Sequence, residues 1–436
     1  MKVGIVGLGH VGLVSAACFA HVGHQVVGAD SQAERVEGLQ KGIMPFFEPG
    51  LAELVNEGVV SGRLVFASES AAALEGTDLV FICVGTPSKP DGSADLVQIE
   101  HLTSEIAGLL RDDQVLVEKS TVPVKTGERV ARTLQRLGAS KVDVISNPEF
   151  LREGSALEDT LRPDRIVIGS SSSRATKLLS DFYAPIIEKS GCALVVTDVG
   201  TAELIKHASN AFLAMKISFI NAVAEVCEST DADVQTVALG MGLDPRIGPS
   251  FLQAGVGYGG SCFPKDVAAF AALANTLGID FSLLEAVQEI NQRGADRLLN
   301  KLRAELWHLE GKKIAMLGLA FKPGTDDMRE APALRVIQRL LDEGSEVIAY
   351  DPAAMPKAKD IYPAVTFAES ALDAMDGADA AIFLTEWDEF RALEPKAMKE
   401  LLRFPIVADG RNLFRPQAMK EAGITYLSMG RGLVRP

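Results

Sequence analysis

The chain opens MKVGIVGLGHVG, and no other stretch limits the fold as much. Lys2–Val6 is a short apolar β run. A glycine turn and a helix of small residues follow it, and Gln25–Ala29 (QVVGA) reads as the next strand. A strand that feeds a helix and then a second strand is a βαβ unit, whose strands must run parallel. Leu79–Val84, Val115–Val117, Val142–Ile145 and Ile166–Ile168 are further strand-like runs separated by helix-length segments. That spacing predicts a parallel sheet covered by helices.

The turn is Gly7-Leu8-Gly9-His10-Val11-Gly12, a GxGxxG pattern. The first glycine permits the tight turn, the second lets backbone approach a pyrophosphate, and the third lets helix pack on strand. Asp30 closes the next strand at the expected distance of about 20 residues. A carboxylate there accepts from the ribose hydroxyls and repels a 2′-phosphate, so NAD is expected over NADP. Arg35 lies nearby and could instead meet such a phosphate. CVGTP (83–87) and KSTVP (119–123) also close strands, where ligands of open α/β sheets bind. Thr86 and Thr121 there either face the cofactor or satisfy their own turns.

From Thr201 the pattern changes. TAELIKHASNAFLAMKISFINAVAEVCEST contains neither Pro nor Gly, and its apolar residues recur at three- and four-residue spacing. It predicts one helix of about 28 residues, near 42 Å long, with Thr201 as N-cap. A second long helix is expected over Leu283–Leu309. At Lys312 the strand–turn–helix pattern returns: KKIAMLGLAFKPG echoes KVGIVGLGHVG, SEVIAYDP echoes HQVVGADS, and AMDGADAAIFL echoes ALEGTDLVFIC. The expected architecture is therefore two Rossmann-like parallel-sheet domains, 1–198 and 310–436, joined by a central long-helix segment, 199–309. The second copy lacks the full glycine fingerprint and is expected to hold something other than the dinucleotide.

A net charge of −15 argues against nucleic acid or an anionic membrane as the main partner, although a local basic site could still take an anionic small molecule. The five cysteines, 18, 83, 192, 227 and 262, show no CxxC spacing, so neither a disulfide framework nor a metal site is expected. We find no signal peptide and no apolar run of bilayer length, and expect a cytoplasmic protein with free thiols.

Three segments carry candidate chemistry. In NPEFLRE (147–153), a helix begun by Pro148 would put Glu149 and Glu153 on one face, where they could act as a general base or orient water; otherwise they are solvated, with Arg152 pairing nearby. Lys206 and Asn210 interrupt the apolar helix four residues apart. They either stabilise negative charge on oxygen or form the polar stripe of an amphipathic helix. In GVGYGGSCFPKD (255–266), glycines would uncover the Cys262 thiol, and Lys265 would favour its thiolate. Asp266 could hold Lys206, Lys265 or a water. A dinucleotide fingerprint with a nucleophilic cysteine suits oxidation of an alcohol to a carboxylate, because the aldehyde must be held covalently before the second hydride leaves.

GLGHVG, CVGTPS, KSTVPV, NPEFLREGSA, HASNAFLAMKISFIN, DPRIGPSFLQAGVGYGGSCFPKD and FKPGTDDMREAP together resemble the UDP-glucose/GDP-mannose dehydrogenase family, from the first residues to beyond 330. The block ending GGSCFPKD is the most specific and is similar to the branch acting on UDP-glucose; the alternatives are GDP-mannose and UDP-N-acetylmannosamine. The resemblance implies that UDP-glucose, two NAD⁺ and water give UDP-glucuronate and two NADH. It makes Cys262 the nucleophile and assigns Lys206 and Asn210 to the oxyanion. Thr121 and Asp266 would serve water or proton transfer, assisted by Glu149 and Glu153. The sugar-nucleotide contacts it implies are Glu149, Phe150, Leu151, Arg152, Phe251, Leu252, Gln253, Ala254, Gly255, Gly259 and Lys322. Arg246 would reach the sugar from a neighbouring subunit. Cofactor contacts, besides Gly7, Gly9 and Gly12, would be Val11, Asp30, Arg35, Thr86, Thr121, Glu153, Lys265 and Arg329. The resemblance also implies a homodimer or higher oligomer paired through the middle helices.

Overall fold

The computed structural model describes residues 1–436. The chain forms two compact units, Met1–Ser209 with Ala268–Gly278, and Asn210–Val267 with Ile279–Pro436.

The first unit holds an eight-stranded sheet. Its strands are β1 (Lys2–Val6), β2 (Gln25–Ala29), β3 (Leu64–Ala67), β4 (Leu79–Ile82), β5 (Val115–Glu118), β6 (Asp143–Ser146), β7 (Arg165–Gly169) and β8 (Ala193–Thr197). Their order is β3-β2-β1-β4-β5-β6-β7-β8. The first six run parallel, as the βαβ pattern requires. β7 pairs antiparallel to β6, so the run Ile166–Ile168 departs from the expected parallel series. Both faces of the central strands β4 and β5 are buried, and successive residues serve opposite cores: Leu79 and Phe81 join one cluster, Val80 and Ile82 the other. That alternation follows from the two-residue period of a strand.

The second unit repeats the plan with six strands: β9 (Lys313–Leu317), β10 (Glu346–Tyr350), β11 (Thr366–Phe367), β12 (Ala380–Phe383), β13 (Ile406–Asp409) and β14 (Thr425–Ser428). Their order, β11-β10-β9-β12-β13-β14, matches that of β3-β2-β1-β4-β5-β6, so the three sequence echoes fall on equivalent strands. The copies differ at the acid closing the second strand. Asp351 is fully buried. It accepts from the Leu319, Ala320, Ala353 and Ala354 amides and from Trp387 Nε1, so the turn after β9 is filled by the protein's own carboxylate.

The long helix runs Val199–Thr230, 32 residues, near 48 Å. It starts ahead of Thr201, and the capping acceptor is Asp198, which takes the Thr201 amide at 2.9 Å and its hydroxyl at 2.6 Å. By length and composition this helix could cross a membrane, contrary to the expectation that no run was long enough. Its buried polar residues have protein partners instead. Glu203 accepts from the Lys125 and Gly127 amides, Ser218 donates to Val287 O, and Asn221 accepts from Gly255 N. Phe212, Phe219 and Val226, at seven-residue spacing, are exposed. The second long helix is Ser282–Leu306.

Candidate active site

The glycine turn follows β1 and opens the helix His10–His21. A Cβ on Gly12 would lie 1.8 Å from Gly7 O, so helix and turn touch there, whereas one on Gly9 would meet nothing within 4 Å. The turn is thus closed behind and open in front, which fits a diphosphate against backbone. Asp30 accepts from Leu8 N at 2.7 Å and Gln32 N at 2.9 Å. Arg35 Nη1 also donates to it at 2.7 Å, so this guanidinium faces a carboxylate. Replacing Asp30 with alanine is expected to cut kcat/KM for NAD about tenfold, through loss of charged hydrogen bonds. NADP use should rise, because Arg35 is left to meet a 2′-phosphate. Initial rates with both dinucleotides measure this, and an unchanged ratio contradicts it.

Thr86 Oγ1 donates to Thr121 O at 2.8 Å, so the hydroxyl links the two strand-end loops. Thr121 is half-buried. NPEFLREG is irregular; the next helix begins at Ala156, so Glu149 and Glu153 do not share a helical face. The reason is competition for amides by side chains. Glu149 Oε2 takes Leu151 N at 2.7 Å, Asp159 takes Arg152 N at 2.8 Å, and Glu48 takes Gly154 N at 2.7 Å. Glu149 and Glu153 are buried rather than solvated. Lys206 Nζ reaches Glu149 Oε1 at 2.8 Å. Phe150 lies beneath two cations, with Arg165 Cζ 3.8 Å and Lys206 Nζ 5.3 Å from its ring centroid. The Arg152 guanidinium is bound by Asp159.

Two buried carboxyls near Thr121 escaped the sequence reading. Burial pushes Glu118, at the end of β5, up to about 8, and Glu203 up to about 7. Between the ordinary carboxylate range and these values the folded state holds protons that the unfolded chain has released. Stability is therefore full at acid pH and falls as pH rises through 8, by up to about 1.4 kcal/mol per pH unit for each proton. Glu118→Gln should flatten that slope and raise the melting temperature at pH 8.5 relative to wild type. Thermal melts at pH 5 and 8.5 test it, and parallel slopes in the two proteins would contradict it.

In the second unit, Asp266 is fully buried. It accepts from Asn210 Nδ2 at 2.6 Å and Lys265 Nζ at 2.6 Å. Cys262 is half-buried immediately before the helix Phe263–Thr276, with its Sγ 3.6 Å from Ser261 Oγ. Cys18 and Cys83, by contrast, are buried thiols pushed up to about 12. The glycine loop before Cys262 is pinned throughout. Gly255 N donates to Asn221 at 2.8 Å, Tyr258 N to Asn291 at 2.7 Å and Gly260 N to Arg329 O at 2.8 Å; Arg411 Nη1 donates to Gly257 O at 2.9 Å. A Cβ on Gly259 would lie 2.4 Å from Glu330 O, and one on Gly260 within 2.7 Å of the Phe321 ring. These glycines let the loop seat on its scaffold, where sequence alone suggested uncovering of the thiol.

Leu252 and Ala254 are buried, Phe251 is half-buried at φ 65°, and Gln253 is exposed. Arg246 is exposed and binds Asp244 of its own turn. Lys322 lies over the Phe321 ring at 5.6 Å. Between Lys322 and Arg329, Lys357 pairs with Asp326 and Arg329 with the buried Asp327. Glu203 carried a local signal, being a polar residue three positions before Lys206 in an apolar helix. Asn291 and Arg411 carried none, since their partners are distant in sequence.

Residues 1–187 match the NAD binding domain of the UDP-glucose/GDP-mannose dehydrogenase family, residues 200–293 its central domain, and residues 315–416 its UDP binding domain. Fold and matches together define an NAD-dependent oxidoreductase. The UDP-glucose 6-dehydrogenase TuaD of Bacillus subtilis is 44% identical over 441 residues, covering 100% of this chain and 94% of that protein. The UDP-glucose 6-dehydrogenase of Rhizobium meliloti is 46% identical over 436 residues, covering 99% and 100%. A solved UDP-glucose dehydrogenase from Pyrobaculum islandicum superposes with a TM-score of 0.91 at 40% identity, over 99% of this chain and 98% of that one. The chain belongs to the UDP-glucose/GDP-mannose dehydrogenase family, and its cofactor is NAD.

Proposed function

We propose that this enzyme oxidises UDP-glucose to UDP-glucuronate in two steps, through a thiohemiacetal and a thioester on Cys262. The observation that carries the mechanism is a half-buried thiol at the end of a pinned loop, four residues before a buried Asp266 that already binds Asn210 and Lys265. The substrate is inferred from full-length relatives named for UDP-glucose.

NAD supplies the hydride acceptor for both oxidations. The Cys262 thiolate adds to C6 of the aldehyde, and the resulting oxyanion is steadied by Lys206 and Asn210. Loss of hydride from that carbon leaves a thioester. Water, positioned by Thr121 and Asp266 with help from Glu149 and Glu153, cleaves it to carboxylate and free thiol. In this reading residues 1–198 bind NAD, and residues 310–436 bind the uridine diphosphate with Lys322 and the 251–255 and 259 backbone. Residues 199–309 pair two subunits, and the exposed row Phe212, Phe219 and Val226 supports that pairing. The same reading has the reaction take place in the cytoplasm.

Absorbance at the NADH band, with UDP-glucose, GDP-mannose and UDP-N-acetylmannosamine in parallel, tests the proposal. Two NADH per UDP-glucose are expected. One NADH per sugar defeats the covalent route. Turnover only of another sugar defeats the substrate assignment and leaves the mechanism standing.

A further inference from the structure

Glu48 lies in a segment to which the proposed chemistry gives no role, and its side chain is 1% exposed. Its Oε2 is 2.9 Å from His10 Nε2 and 2.7 Å from Gly154 N, and its Oε1 is 2.8 Å from Ala156 N. A carboxylate only accepts, so all three nitrogens donate to it. His10 is the fourth residue of the glycine fingerprint and the first of its helix. Its ring lies against Phe46, centroids 4.8 Å apart, so it is held on two sides. Gly154 directly follows Glu153, and the Glu149–Glu153 segment has no helix of its own to hold it. One buried group therefore joins the first turn of the dinucleotide helix to the end of the carboxylate-bearing segment. A buried carboxylate is costly unless its lone pairs are taken, and here donors from both segments are needed to take them.

We propose that Glu48 is a positioning residue that couples dinucleotide binding at the glycine turn to the placement of the Glu149–Glu153 segment. An anion against the first turn fixes His10, His10 fixes the Glu48 carboxylate, and Glu48 fixes the Gly154 and Ala156 amides. The catalytic consequence rests on the roles proposed above for Glu149 and Glu153; the coupling itself is measurable with dinucleotide alone.

The test is amide hydrogen exchange of the full chain with and without saturating NADH, read at the turn 7–12 and at Gly154 and Ala156. In the wild type, NADH is expected to slow exchange at both places. His10→Ala should keep the protection of the turn and lose the response at Gly154 and Ala156. His10→Gln, whose amide can donate to Glu48, should restore it. Glu48→Gln leaves one of the two amides facing an NH₂ group. Its exchange there should rise about tenfold and no longer respond to NADH, with kcat on UDP-glucose about tenfold lower. An unaltered response in His10→Ala, or none in the wild type, overturns the coupling. If Glu48→Gln does not fold, the His10 pair decides alone. If wild type binds NADH but does not turn over UDP-glucose, the substrate reading fails and the exchange result stands.

Discussion

Cys262→Ala is expected to lower steady-state NADH production from UDP-glucose at least about ten-thousandfold, the scale seen when a covalent nucleophile is removed. A slow first oxidation is the most that can remain, because an aldehyde can form without the thiol but cannot be held for a second hydride loss. The protein itself should be little affected. Cys262 is half-buried and belongs to neither sheet's core, and the loop that precedes it is held by Asn221, Asn291 and Arg411, which the substitution does not touch. The melting temperature should therefore fall by only a few degrees, since a typical single substitution costs about 1 kcal/mol.

Two further readings separate covalent catalysis from a packing role for this cysteine. Acid-quenched wild type in turnover should carry a nucleotide-sugar mass on the peptide containing Cys262, and the alanine variant should not. Cys262→Ser keeps the size and offers a hydroxyl, yet it should also fail at the second oxidation, since an oxygen ester is a poorer acyl donor than a thioester and serine lacks a ready anion at neutral pH. Full turnover by the alanine variant would falsify the thioester route outright.

The parts of the molecule open to sequence reading are those where a local rule acts alone. Gly12 meets Gly7 O and Asp30 meets Leu8 N because any strand–turn–helix of this kind must close that way, and the same constraint made β9, β10 and β12 recognisable as echoes of β1, β2 and β4. The long helix was visible because nothing in it breaks a helix. Reading failed where distant residues outvote local preference. Pro148 suggested a helix start, but Glu48, 106 residues upstream, claims the Gly154 amide, and Asp159 claims that of Arg152. The glycines beside Cys262 suggested access, but Glu330 and Phe321 occupy the space their side chains would need. Thr201 looked like a cap because its hydroxyl could serve; Asp198 takes both its amide and its hydroxyl. In the first two cases the deciding groups, the Glu48 side chain, the Glu330 backbone carbonyl and the Phe321 ring, are brought up by the finished fold; in the third the partner is local, three residues ahead of Thr201.

Lys206→Met is expected to be the most damaging change in the first unit, for two separable reasons. Lys206 and Glu149 form an ion pair in which both side chains are 4% exposed. Removing the ammonium strands the carboxylate, at a cost of about 3–5 kcal/mol, although Leu151 N still donates to its other oxygen. The melting temperature should fall by about 6 °C or more. Catalysis should drop on the order of a hundred- to a thousandfold as well, the usual cost of losing one preorganised donor to an oxyanion. A second substitution distinguishes the two effects. Adding Glu149→Leu removes the stranded charge, so the double variant should regain most of the lost stability, as apolar replacements of buried ion pairs generally do. Activity should not return, because neither the ammonium nor the carboxylate is present. Glu149→Gln alone keeps an acceptor for either Lys206 or Leu151 and should melt between wild type and Lys206→Met. If the double variant recovers turnover along with stability, Lys206 serves only to neutralise Glu149, and the oxyanion role passes to Asn210 alone.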